Sequence, residues 1–173
     1  FINIKVSDKL INRVLNNIKE TGFVNKIDVK ETCVIDYGGP NIAKPLHVGH
    51  IRPAIIGESI KRILDYKGYK TVSDVHLGDF GLQMGQIIYG LQVENIKIED
   101  ITLKLLEEIY PKYSRISKEN EDILNICRKI TAELQFNKND EYSKYYNKIY
   151  EVSLKDIKRI YNFLDVHFDY WYG

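Results

Sequence analysis

The segment Gly38–His50, GGPNIAKPLHVGH, gathers two histidines at i and i+3, a lysine, and a punctuation of glycine and proline. The first turn of a helix leaves backbone N–H groups unpaired and carries a partial positive charge, so it attracts anions, phosphate above all. Imidazoles at i and i+3 in that turn point toward the same oxygens. Gly49 between them carries no side chain, which lets a flat ring approach the backbone. Lys44, held ahead of the helix by Pro45, brings an ammonium to the same anion. Such donors suit an in-line displacement in which negative charge grows on phosphoryl oxygens. A metal reading uses the same two histidines, but HxxH needs a third ligand, which His76 could supply only in space. Neither GxGxxG nor GxxxxGK[ST] occurs, which excludes the familiar dinucleotide and P-loop chemistries.

The elements that must position these residues are legible on either side. Thr32–Tyr37 (TCVIDY) reads as a short β-branched strand of a buried parallel sheet. A helix follows from about His47 to Lys67, with Ile51, Ile55, Ile56, Ile60, Ile63 and Leu64 expected to face inward and Gly68 as its stop. Lys70–Val75 alternates as a second strand. Strand, long helix and strand make a βαβ unit, and the histidines then sit at the carboxyl edge of a parallel sheet, where open α/β sheets bind ligands.

Further out, Phe1–Val6 reads as a strand, Ser7 as the N-cap of a helix over Asp8–Glu20, and the loop to about Lys30 as a boundary. Gly81–Tyr89 is predicted helical, and Asp100–Tyr110 helical until Pro111 stops it. Amphipathic helices follow over Ser117–Asn137 and Glu141–Leu164, with a Lys/Asn/Asp turn between them. The tyrosine-rich side of the second is expected to be a helical core. Val166–Trp171 is predicted to return to the sheet. The fold class is therefore α/β, a Rossmann-like parallel sheet that is incomplete and interrupted by a helical insertion. The divisions are 1–22, 23–90, 91–164 and 165–173. The strand-like residues at both ends predict a piece of a larger protein.

Bulk properties narrow the choice little. A net charge of +1 gives no global basic field, so any nucleic-acid contact must come from a local patch. Cys33 and Cys127 lie far apart without CxxC, which fits reduced thiols in a cytosol and argues against a disulfide framework or a structural metal. No apolar run spans a bilayer, so no membrane partner is expected.

The stretch DYGGPNIAKPLHVGHIRPAIIG, followed by HLGDFGLQMG, resembles the class I aminoacyl-tRNA synthetases, and the arginyl enzymes in particular. His47-Val48-Gly49-His50 is similar to the class I HIGH signature, and the flanking Pro40–Pro45 and Ile55–Gly57 carry the likeness to the arginine enzyme. The resemblance implies that ATP and arginine give arginyl-adenylate and pyrophosphate, with Mg²⁺ accompanying ATP, and that the arginyl group passes to tRNA. It implies a cytoplasmic, monomeric parent. By position, His47, Gly49 and His50 would bind ATP and stabilise the transition state, with Lys44 and Pro45 at the phosphates. Asn41 and Asp36 would hold arginine. His76, Asp79 and Gln83 are candidate loop contacts, with ordering of their own loop or helix as the plainer role. Asp36, Gly38-Gly39 and Pro53 depart from the family's commoner Glu, paired Ser and Ser. No KMSKS-like lysine loop and no anticodon-binding helical domain occurs, which implies part of an active site, inactive by itself. A different HxGH adenylyl transferase, or a non-catalytic RNA- or protein-binding module carried by the helical region, stands as the alternative.

Overall fold

Three strands, β1 (Thr32–Asp36), β2 (Lys70–His76) and β3 (Tyr170–Tyr172), lie in the order β1-β2-β3, and both pairings are parallel. The computed structural model describes residues 4–22, 31–78, 81–136 and 139–172. Expectations for Phe1–Asn3, the loop 23–30, Asp79 and the turn at 137–138 fall outside the described residues. Thr32 pairs with Lys70 and Asp36 with Asp74, and β2 continues to His76, so the two strands release their following loops at one edge.

The crossover between them is α2 (Val48–Lys67), closed by Gly68 at a left-handed φ of 100°. Its buried face is not the predicted one. Ala54, Gly57 and Glu58 are buried, while Ile55, Ile56, Ile60 and Ile63 are 44–59 % exposed. The reason is close packing on Tyr37: a Cβ at Gly57 would lie 2.2 Å from the Tyr37 ring. Only small residues fit there, and the isoleucine stripe is turned away.

Behind the sheet edge stands a body of four helices, α3 (Leu82–Val93), α4 (Leu103–Glu119), α5 (Glu121–Gln135) and α6 (Asp140–Phe163). Helix α3 is apolar nearly all round and lies against the other three, burying Met84, Ile87, Ile88 and Leu91 completely or almost so. Gly85 allows that approach, since a Cβ there would meet the Cys127 carbonyl oxygen of α5 at 2.1 Å. Asn120 and Asn139 cap α5 and α6 by accepting from two backbone N–H groups each. Pro111 does not end its helix as predicted. It lies inside α4, which continues to Glu119, because Ile109, Tyr113 and Ser117 bury one continuous face across the proline and outweigh one missing hydrogen bond. The next helix accordingly begins at Glu121 rather than Ser117.

Two further boundaries shift. Ile4–Val6 lies outside any strand, and Ile4 is 83 % exposed. The final strand is shorter than Val166–Trp171, because Asp169 substitutes a side-chain bond for a ladder bond: its Oδ2 accepts from the Ser73 N–H at 2.8 Å. Helix α1 (Asp8–Thr21) is capped by Ser7, as predicted. No described helix is long and apolar enough to cross a membrane.

Candidate active site

The loop from β1 to α2 is built by a chain of backbone constraints. After Asp36 the strand turns at Gly38 (φ 97°) and Gly39 (φ 68°), conformations that side chains disfavour. The backbone then runs beside the loop that follows β2. Gly78 N–H donates to the Pro40 carbonyl at 2.9 Å, and Ile42 N–H to the Gly78 carbonyl at 3.0 Å. Asn41 occupies the space a side chain at Gly78 would need, as a Cβ there would lie 2.2 Å from Asn41 Oδ1.

The helical body grips the next two residues. Gln83 of α3 donates to the Ile42 carbonyl at 2.8 Å. Ser153 of α6, wholly buried, accepts from the Ala43 N–H at 2.9 Å, and Ala43 adopts a positive φ of 64°. Lys44 then places its Nζ over the ring of Tyr110 of α4, 4.4 Å from the centroid. Gln83 thus serves the loop backbone, and neither Ser153 nor Tyr110 is recognisable from sequence, because both contacts cross more than sixty residues.

His47 is the N-cap of α2, extended at φ −122°, and its Nδ1 accepts from the Gly49 N–H at 3.0 Å. That bond requires Nδ1 to be unprotonated, so a neutral His47 carries its proton on Nε2. Gly49 has a second reason for being glycine: a Cβ would lie 2.8 Å from the folded-back His47 ring. The His47 and His50 rings sit together, centroids 3.9 Å apart and tilted by 33°. Burial, then the charges of His47 and Lys44, lower the pKa of His50, and its Nδ1 is buried without a partner. The N-terminus of α2 therefore gathers two imidazoles and the positive end of the helix dipole, with the Lys44 ammonium on the loop that leads into it, a set that suits an anion.

Asp36, Asp74 and His76 form a second group, with one ligand atom from each lying within 4.8 Å of the others. Asp74 Oδ2 lies 3.2 Å from His76 Nε2, and His76 stacks on Tyr172 at 5.1 Å. Asp36 and His76, which the sequence places far apart, thus share one edge of the sheet. Pro45 is exposed beside Lys44, and Asp79 lies outside the described residues.

Beneath the loop a buried knot fixes its base. Tyr37 donates to Glu58 Oε2 at 2.8 Å, within reach of the His167 carbonyl at 3.1 Å, while Glu58 also accepts from Arg62 Nε at 2.8 Å and from the His167 N–H at 3.0 Å. Burial raises the Tyr37 pKa, and the neighbouring Glu58 carboxylate adds to the effect. Burial works upward on Glu58 too, but the bonds from Arg62, His167 and Tyr37 outweigh it and hold the carboxyl below its ordinary value.

Residues 6–170 match the family described as tRNA synthetases class I (R), catalytic domain. The arginine–tRNA ligase of Agathobacter rectalis is 40 % identical over an alignment covering 100 % of this chain and 32 % of that protein. The corresponding protein of Alkaliphilus oremlandii is 39 % identical at the same coverage. The chain therefore spans about a third of the length of these relatives. Among solved structures, arginyl-tRNA synthetase from Plasmodium falciparum superposes with a TM-score of 0.65 at 33 % identity, over 90 % of this chain and 25 % of that one. The Thermus thermophilus arginyl-tRNA synthetase, at 20 % identity and a TM-score of 0.52 over 83 % of this chain and 24 % of that one, shares the fold.

Proposed function

The chain belongs to the class I tRNA synthetase (R) catalytic-domain family, and from that membership we propose that it carries part of the arginine-activating site of an arginine–tRNA ligase. The carboxylate of arginine attacks the α-phosphorus of ATP, the bond to the bridging oxygen breaks, and pyrophosphate leaves. The arginyl group of the adenylate then passes to a tRNA hydroxyl with release of AMP.

The observation that carries this reading is the pairing of His47 with His50 at the N-terminus of α2, at the carboxyl edge of the parallel sheet, with Lys44 three residues before His47 and near enough for its charge to act on His50. His47, through the proton on Nε2, donates to phosphate oxygens as charge grows on them, and the positive end of the α2 dipole favours that charge. A neutral His50 adds a donor without competing for protons. Lys44 neutralises charge on the departing pyrophosphate, Pro45 restricts the backbone that bears it, and Gly49 leaves room above the helix end. Asn41 and Asp36 hold the amino acid at the adjoining edge. Mg²⁺ would travel with ATP on phosphate oxygens, because imidazole nitrogens and an ammonium suit an anion rather than a hard cation.

In this reading residues 1–22 end a preceding domain, 23–90 form the first half of the nucleotide-binding core, 91–164 are an insertion, and 165–173 re-enter the sheet. The chain alone holds too few preorganised donors to form the adenylate at an appreciable rate. The test is ATP–pyrophosphate exchange by the full-length enzyme, screened across the standard amino acids. Exchange driven by arginine supports the proposal, exchange driven by another amino acid points to a different adenylyl transferase, and none at all points to a binding module.

A further inference from the structure

Besides gripping the loop backbone, the helical body meets a side chain of the loop, at Lys44. Lys44 Nζ lies 4.4 Å from the centre of the Tyr110 ring, within the range of a cation–π contact. Its backbone is pinned just upstream, by Ser153 on the Ala43 N–H and by Gln83 on the Ile42 carbonyl. The remaining freedom is that of the long lysine stem, which a ring face restricts. We propose that Tyr110 is a positioning residue for Lys44, holding its ammonium beside the His47–His50 pair so that it is in place when the phosphates arrive. The position agrees with the electrostatics, since the Lys44 charge is among the causes that lower the His50 pKa, after burial and His47. Tyr110 touches no reacting atom in this account. It links the helices of the insertion to the chemistry through one cation.

The inference rests on the role given to Lys44 above, and the two can fail separately. In the full-length enzyme, Tyr110→Leu should lower the rate constant for arginine-dependent pyrophosphate exchange about two- to thirty-fold, with the KM for ATP changed less than about twofold. Tyr110→Phe, which keeps the ring face, should restore the rate. Combined with Lys44→Ala, Tyr110→Leu should cost nothing further, because the cation it positions is gone. A wild-type or faster rate for Tyr110→Leu, a Phe variant as slow as Leu, or additive losses in the double variant would overturn the positioning role. If Lys44→Ala itself exchanges at the wild-type rate, the earlier assignment fails as well. A measurement that needs no variant guards against misfolding of Tyr110→Leu. In protein labelled at lysine Cε, the Lys44 ε-protons should be shifted upfield by the ring, and an unshifted resonance would contradict the contact.

Discussion

The imidazole rings of His47 and His50 lie 3.9 Å apart, centroid to centroid, with His47 held by the Gly49 N–H and His50 left with a buried, unpartnered Nδ1. Burial first, and then the neighbouring His47 and Lys44, disfavour the charged form of His50.

The first prediction follows from the sign of that effect. His50 has a folded-state pKa below its ordinary value of 6.5, so the unfolded chain takes up this proton first as the pH falls. Its contribution to stability is present above pH 6.5 and drains away as the pH drops toward the folded value. A histidine-resolved NMR titration should place His50 below 6.5, and His50→Asn should flatten the acid limb of the stability curve. A His50 that titrates at or above 6.5 contradicts the arrangement.

Lys44→Ala in the full-length enzyme should lower the adenylation rate about a hundred- to a thousand-fold, the usual cost of losing one preorganised donor, with a far smaller rise in the KM for ATP. Both constants staying within about threefold of wild type would return Lys44 to the status of an ordinary loop lysine.

The buried knot under the loop sets a stability prediction. Tyr37→Phe keeps the ring against Gly57 but leaves Glu58 short of one donor. The cost should be about 1–2 kcal/mol, or roughly 2–8 °C in melting temperature. An unchanged melting temperature would mean that the Arg62 and His167 bonds satisfy Glu58 unaided.

Gly85→Ala should be worse than its size suggests. The added carbon meets the Cys127 carbonyl oxygen at 2.1 Å, and backbone cannot swing aside as a side chain can. Helices α3 and α5 must separate, at about 1–3 kcal/mol. Thermal unfolding measures it, and a neutral substitution would contradict the close α3–α5 contact.

What the sequence made legible was local. β1, α2, β2 and the caps at Ser7 and Gly68 follow from periodicity and turn chemistry, and the histidine-bearing turn falls where the βαβ pattern puts it. The inward face of α2 did not follow, because hydrophobic periodicity assumes that the bulkiest apolar residues are the buried ones. Here Tyr37 demands Gly57 beneath it, and the isoleucines are turned outward. Pro111 misled for a related reason, since tertiary burial on both sides of it outweighs the local rule. The contacts Tyr37–Glu58, Ala43–Ser153 and Lys44–Tyr110 join residues 21, 110 and 66 positions apart. No local pattern encodes them. The histidines and the lysine of this turn were thus visible in sequence, and the groups that hold them were not.

The central claim is that the His47–His50 turn works on ATP in the service of arginine activation. Its most direct measurement is arginine-dependent ATP–pyrophosphate exchange by the full-length enzyme and by its His47→Ala and His50→Ala variants, alongside the 173-residue chain alone. Exchange with arginine by the intact enzyme, a fall of about a hundredfold or more in each variant, and no exchange by the isolated chain are the expected results. Exchange that survives both substitutions, or that does not depend on arginine, would contradict the claim.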